Sequence, residues 1–163
     1  MSDSELSPTG VDQVQIPEEI LKAVLKLSED TGLVFEVLDV PVQGTNLYVV
    51  FVTNHPFPDR YTVSSGVLGF RVPNNFPNAC PEDCFFIQPH DTKLREPDKT
   101  RNSTDIHRAS KSDDFLKGTK FGNSSVLVFS WHIWNTLVWD RKKHSLSDHY
   151  FHCLRRFEVP EHD

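Results

Sequence analysis

Three cysteines, Cys80, Cys84 and Cys153, and one serine set among tryptophans, Ser130, are the residues whose types lend themselves to covalent chemistry. A cysteine acts as its thiolate, whereas a serine hydroxyl is far less acidic and needs a positioned base to take its proton. His132 stands two residues beyond Ser130 in VLVFSWHIWNTLVW, Val126 to Trp139. On a strand, residues two apart face the same side, so Ser130 and His132 would point into one site as nucleophile and base. The competing reading makes both residues polar punctuation between tryptophans, because a catalytic pair is recognised by its geometry. Cys80 and Cys84, with Cys153 and His149 or His152, also fall within the range of zinc spacings. The simpler reading is that the cysteines are small buried hydrophobes, with no metal and no cofactor, and that His149 and His152 lie on the solvated flank of a helix.

Composition narrows the classes. A chain of 163 residues suits one domain with a real core and is short for two. A net charge of −6, with scattered Lys and Arg, argues against a broad nucleic-acid surface. No apolar run approaches the roughly 18 residues of a membrane span. The acidic, polar start MSDSELSPTG shows no secretory or transit signal, and three cysteines make no even disulfide framework, so a cytoplasmic setting is expected. The sequons at Asn102 and Asn123 carry little weight in that setting.

The elements that must position Ser130 and the cysteines follow from periodicity. Residues 1–15 read as a flexible tail, 16–158 as a single domain and 159–163 as a C-terminal tail. Ile20, Leu21, Val24, Leu25 and Leu27 recur at helical spacing, with Pro17, Glu18 and Glu19 at the start and Gly32 as a stop. Strands are predicted at Leu33 to Val40, Leu47 to Thr53, Val67 to Val72 and Cys84 to Ile87, with a turn at Pro41 to Thr45 and a loop or elaborated hairpin at Asn54 to Ser65. Between the last two strands, Pro73, Pro77 and Pro81 fix φ and lack an N–H, which makes a rigid corner of the segment. His90 to Ser125 lacks periodicity and reads as a long crossover. Its charged stretch from Asp91 to Lys120 is read as solvated, with a flap or partner surface as the alternative. Ser145 to Phe157 is predicted helical, with a capping box of Ser145 and Asp148 and an apolar stripe of Leu146, Tyr150, Leu154 and Phe157. The expected class is α+β: helix, four-stranded antiparallel meander, crossover, helix.

The corner VLGFRVPNNFPNACPEDCFFIQP and the block SWHIWNTLVW followed by SLSDHYFHCLRRF carry a resemblance. Together with the element order they resemble the ubiquitin-conjugating (E2, UBC) superfamily, and within it the bacterial group called prokaryotic E2 family E. The likeness runs from about Val34 to Phe157. It implies an E2-like fold and partnership with a ubiquitin-like modifier, an E1-like activating enzyme and a JAB-type isopeptidase. An ordinary E2 holds the modifier as a thioester on a cysteine shortly before the crossover tryptophan. No cysteine lies between Cys84 and Cys153, and QPHDTKL stands where the family's His-Pro-Asn element is expected, so a thioester at the usual place is excluded by residue type. With Trp139 matched to that tryptophan, the nucleophile slot falls roughly eight to ten residues earlier, where Ser130 is the only nucleophile. Two expectations therefore stand: a non-cysteine E2-like carrier using Ser130 with His132, and a catalytically inactive E2-like module that binds the modifier or its E1.

Overall fold

The computed structural model describes residues 16–42, 45–96, 99–119, 121, 124–130, 134 and 138–160. The tail at 1–15, the turn residue Gly44, Lys120 at the end of the charged stretch, the sequon residue Asn123, His132, and residues 161–163 of the C-terminal tail lie outside them. Among the described residues the chain is α+β, with two helices and a six-stranded antiparallel sheet. In chain order the elements are α1 (Glu18–Thr31), β1 (Glu36–Val42), β2 (Thr45–Pro56), β3 (Ser65–Pro73), β4 (Cys84–Gln88), β5 (Leu94–Glu96), β6 (Lys99–Thr104), β7 (Ala109–Ser112), β8 (Val126–Ser130) and α2 (Leu146–Glu158). No helix among the described residues is long and apolar enough to cross a membrane.

Helix α1 forms where the periodicity places it, but its buried stripe is narrower than the apolar pattern. Ile20, Val24 and Leu27 are buried, while Leu21 and Leu25 are 46% and 63% exposed. Gly32 ends the helix at φ 74°, a left-handed position a side chain would resist, and its N–H bonds to the Ser28 carbonyl at 2.9 Å. In α2 the expected capping box is present, with Ser145 and Asp148 each accepting from the other's backbone N–H. Its core stripe differs from the expected one. Leu146, Tyr150 and Phe157 are buried as predicted, but the stripe passes through His149 and Cys153, both fully buried, and Leu154 is only half-buried.

The four predicted strands are β1 to β4, and the sheet order β1-β2-β3-β4-β8-β7 corrects the expectation of a four-stranded meander and a strand-free crossover. Residues 90–125 were too polar to show a period, yet they supply the hairpin β5-β6 and the edge strand β7, and β8 pairs with β4 in the sheet. Short strands with one face in water carry little apolar signal, which is why pattern alone passed over them. The loop expected at Asn54 to Ser65 is an elaborated hairpin: β2 continues past an irregularity between Val52 and His55 to pair His55 with Gly66 and Pro56 with Ser65.

The sheet's two faces bury separate clusters. One face, with Val50, Phe70, Phe85, Ile87 and Phe129, packs under both helices. On the other, Val49, Phe51, Phe86 and Val126 are covered by Phe115 and Leu116 from the crossover, with Phe121 against them. Each such large side chain withdrawn from water contributes about 1.5–3 kcal/mol. Arg71 fastens this cover: its Nε donates to Glu82 Oε1 at 2.5 Å and its guanidinium lies 3.9 Å from the centroid of the Phe115 ring. The corner between β3 and β4 is a run of turns, as its prolines require, and the Phe76–Pro77 and Gln88–Pro89 peptide bonds are cis.

Candidate functional site

Ser130 is the last residue of β8 and its side chain is exposed. It sits opposite Cys84 in the pairing with β4, and its N–H donates to the Arg108 carbonyl at 3.1 Å on the side of β7. Residues directly opposite on antiparallel strands share a face, so the Cys84 thiol and the Ser130 hydroxyl lie on the same side of the sheet. They are not equivalent chemically. Burial, reinforced by the Glu82 carboxylate, pushes the Cys84 thiol up to about 12. Burial also raises Cys80 and, aided by Cys84, holds the fully buried Cys153 well above the ordinary thiol range. All three thiols therefore stay protonated at neutral pH, and a protonated thiol is neither a good nucleophile nor a metal ligand. Among the described residues no group of three or more His, Cys, Asp or Glu is placed to hold a metal ion.

Behind Ser130 the chain is anchored by a buried aromatic cluster. The Trp134 N–H donates to Asp83 Oδ1 at 3.3 Å, and its indole Nε1–H donates to His149 Nδ1 at 3.0 Å. An indole is donor only, so Nδ1 must be the acceptor and the His149 proton resides on Nε2. That nitrogen lies 3.5 Å from Cys153 Sγ. His149 is thus no solvated flank of α2, as its spacing suggested. It is fully buried, packs 4.8 Å from the Phe70 ring, and burial, then His152, lowers it to about 3. A neutral imidazole with both nitrogens engaged is a structural connector, and the helical period alone gave no sign of it. Trp139 closes the cluster, edge-on to Trp134 at 4.8 Å and donating to the Pro77 carbonyl at 2.8 Å.

His132, the base expected beside Ser130, lies outside the described residues. Of the crossover's basic residues, Arg95 donates to the Tyr61 carbonyl at 3.1 Å, while Lys93 reaches Asp105 at 3.8 Å and Lys111 reaches Asp113 at 3.5 Å. These are loose surface pairs, each contributing little to stability. A feature that residue-by-residue reading missed lies beside them: a cavity of about 240 Å³ where QPHDTKL leaves β4, lined by the apolar Ile106, Ala109 and Leu127 and by Lys93, Lys111, Asp91 and Asp105.

No family model, no curated protein and no solved structure matches this chain.

Proposed function

We propose that the chain is an E2-like, non-thioester component of a bacterial ubiquitin-like conjugation pathway, working as a binding module for the modifier or its E1-like activating enzyme. The observation that carries the absence of a thioester is the place of the thiols: Cys80 lies in the corner, Cys84 begins β4 and Cys153 is fully buried in α2, so all three lie outside the crossover. Support for the E2-like part comes from α1, the run β1 to β4 with its proline corner, and the closing helix α2, while β7 and β8 extend the sheet beyond that pattern. A non-enzymatic, protein-binding role in the cytoplasm follows from that reading.

A second reading, transfer through Ser130, is favoured by one observation: its side chain is exposed at a strand end. The step would form an oxyester between Ser130 Oγ and the modifier's C-terminal carbonyl while the E1 thioester breaks. The serine proton would pass through a base, His132 in this reading, to the departing E1 thiolate. Incubating the chain with cognate E1-like enzyme, modifier and ATP separates the two. The binding reading expects a non-covalent complex with the E1 or modifier and no adduct. A thiol-resistant, hydroxylamine-sensitive adduct that Ser130→Ala abolishes would replace it with the carrier reading, and absence of both complex and adduct would remove the pathway assignment.

A further inference from the structure

Arg156 stands in the last turn of α2, where a cation suits the helix carbonyls, and is 2% exposed. It is tied to chain outside its own helix on two sides. Its Nη1 donates to the carbonyl of Pro160, itself buried just after α2, and its Nη2 donates to the carbonyl of His107 at 2.8 Å. The guanidinium carbon lies 5.9 Å from the centroid of the Phe129 ring, so the charge sits beside the end of β8. A guanidinium is a rigid planar fork, and the acceptor at one nitrogen sets where the other points. A buried cation that loses an acceptor must turn toward another or toward water, which ties the fate of the second bond to the first.

His107 belongs to the turn that opens β7. The Ala109 N–H closes this turn on the Ile106 carbonyl at 3.2 Å, and Arg108 within it sits at φ 57°, in the left-handed region. A residue with a side chain holds that conformation where its surroundings impose it. Two contacts do so here. Arg156 holds the carbonyl just before Arg108, and the Ser130 N–H donates to the Arg108 carbonyl itself at 3.1 Å. From the turn the chain runs into β7, which has four residues, none of them fully buried, so its place on β8 depends on how the turn is held.

We propose that Arg156 is a latch through which the segment after α2 controls the crossover. With Pro160 in place the guanidinium is aimed at His107 and β7 lies on β8. Withdrawing that segment turns the guanidinium away, releases the turn from Ile106 to Ala109 and opens the end of β8 at the Ser130 N–H. The latch uses neither His132 nor any thiol, and it stands whether or not the chain belongs to a conjugation pathway.

The test is amide hydrogen exchange, read by nitrogen-15 NMR, on the full chain and three variants: the chain ended at Val159, Arg156→Lys, and the two combined. A lysine ammonium is a single nitrogen and does not span both carbonyls as the fork does. In the full chain the N–H groups of Ala109 and Ser130 should exchange through one shared opening, with the same urea dependence, short of global unfolding. Ending the chain at Val159 should speed both about tenfold, the loss of one hydrogen bond to a charged group, and leave Val50 and Phe70 in the central strands unchanged. Arg156→Lys should act on the same two amides. The combined variant should exceed neither single change, because both break one connection. Separate openings of the two amides, opening only with global unfolding, unchanged rates in the shortened chain, a uniform increase or additive effects would each overturn the proposal. The full and shortened chains both keep Arg156, so their comparison decides the matter even where Arg156→Lys fails to fold.

Discussion

The indole nitrogen of Trp139 donates a 2.8 Å hydrogen bond to the carbonyl of Pro77, 62 positions earlier in the chain. One end of this bond is the corner between β3 and β4, and the other is the segment that leads from Ser130 into α2. Prolines make the corner rigid but do not say where it rests, and Trp139 supplies that contact, with Phe76 packed at 5.6 Å against its ring. Trp139→Phe keeps much of the ring packing and leaves the Pro77 carbonyl without its donor. The expected loss is about 1–2 kcal/mol in urea unfolding. A loss near zero would mean that the bond does not hold the corner.

Gly66 and Gly69 are the positions where β3 tolerates no side chain. A Cβ on Gly66 would lie 1.9 Å from the Gln88 carbonyl oxygen, and one on Gly69 would lie 2.7 Å from both the Phe86 ring and the Val50 carbonyl oxygen. Backbone atoms within a ladder cannot yield as a side-chain end can. Gly66→Ala is therefore expected to cost about 3 kcal/mol, at the upper end of the range for overpacking, by forcing β3 and β4 apart. Amide exchange would report it as lost protection at Val67 and Ile87. Unchanged protection there would contradict the close approach.

The thiols should react in the order of their surroundings. Cys80 is half-buried and raised by that burial, Cys84 is pushed up to about 12, and Cys153 is fully buried. Mass spectrometry after timed treatment of the native chain with an alkylating reagent at pH 8 should find Cys80 modified first, then Cys84. Cys153 should react only at the rate of unfolding, because a buried protonated thiol must be exposed before it can attack. Early alkylation of Cys153 would refute its place in the core.

Much of the frame was readable because its signals are local. The prolines of the corner, the Ser145 and Asp148 cap and the apolar runs of β2 and β4 each determine structure within a few residues. The strands of the crossover were not readable, since Ala109 to Ser112 takes its strand conformation from pairing with β8 and not from its own composition. His149 shows the same limit at a single residue. Helical spacing put it near a polar flank, but the acceptor it offers Trp134 draws it into the core, and that demand comes from 15 positions away. Ser130 could be found from its neighbours in sequence, whereas its exposure followed only from its place opposite Cys84 at the end of β8.

The cover over the second face of the sheet depends on Arg71. Its guanidinium bonds to Glu82 at 2.5 Å and stacks 3.9 Å from the Phe115 centroid, with the Arg71 and Glu82 side chains 21% and 33% exposed. Arg71→Ala removes a charge-assisted bond and the stacking surface together, with an expected cost of about 2–3 kcal/mol. Faster amide exchange should be concentrated at Phe115 to Thr119, which the lost contacts hold against the sheet. A uniform increase across the chain would indicate general destabilisation instead.

His149 should make stability depend on pH from about 6.5 downward, so that the loss begins before exposed carboxylates titrate. Its folded pKa of about 3 lies below the unfolded value of about 6.5, so the folded chain refuses a proton that the unfolded chain accepts. The stabilisation is fully present above pH 6.5 and is lost progressively as pH falls toward 3. Within that window the slope from this one group approaches about 1.4 kcal/mol per pH unit. His55 and His152, also lowered by burial, add to it in the same direction. His149→Asn places an oxygen where Nδ1 accepts the Trp134 indole and removes the titration. This variant should be less stable at pH 7, from lost packing, yet its stability should fall less steeply between pH 6 and pH 4.5. Urea unfolding across that interval measures both slopes. Parallel slopes would mean that His149 already takes up its proton in the folded chain, which the indole donor and the closed core around it oppose.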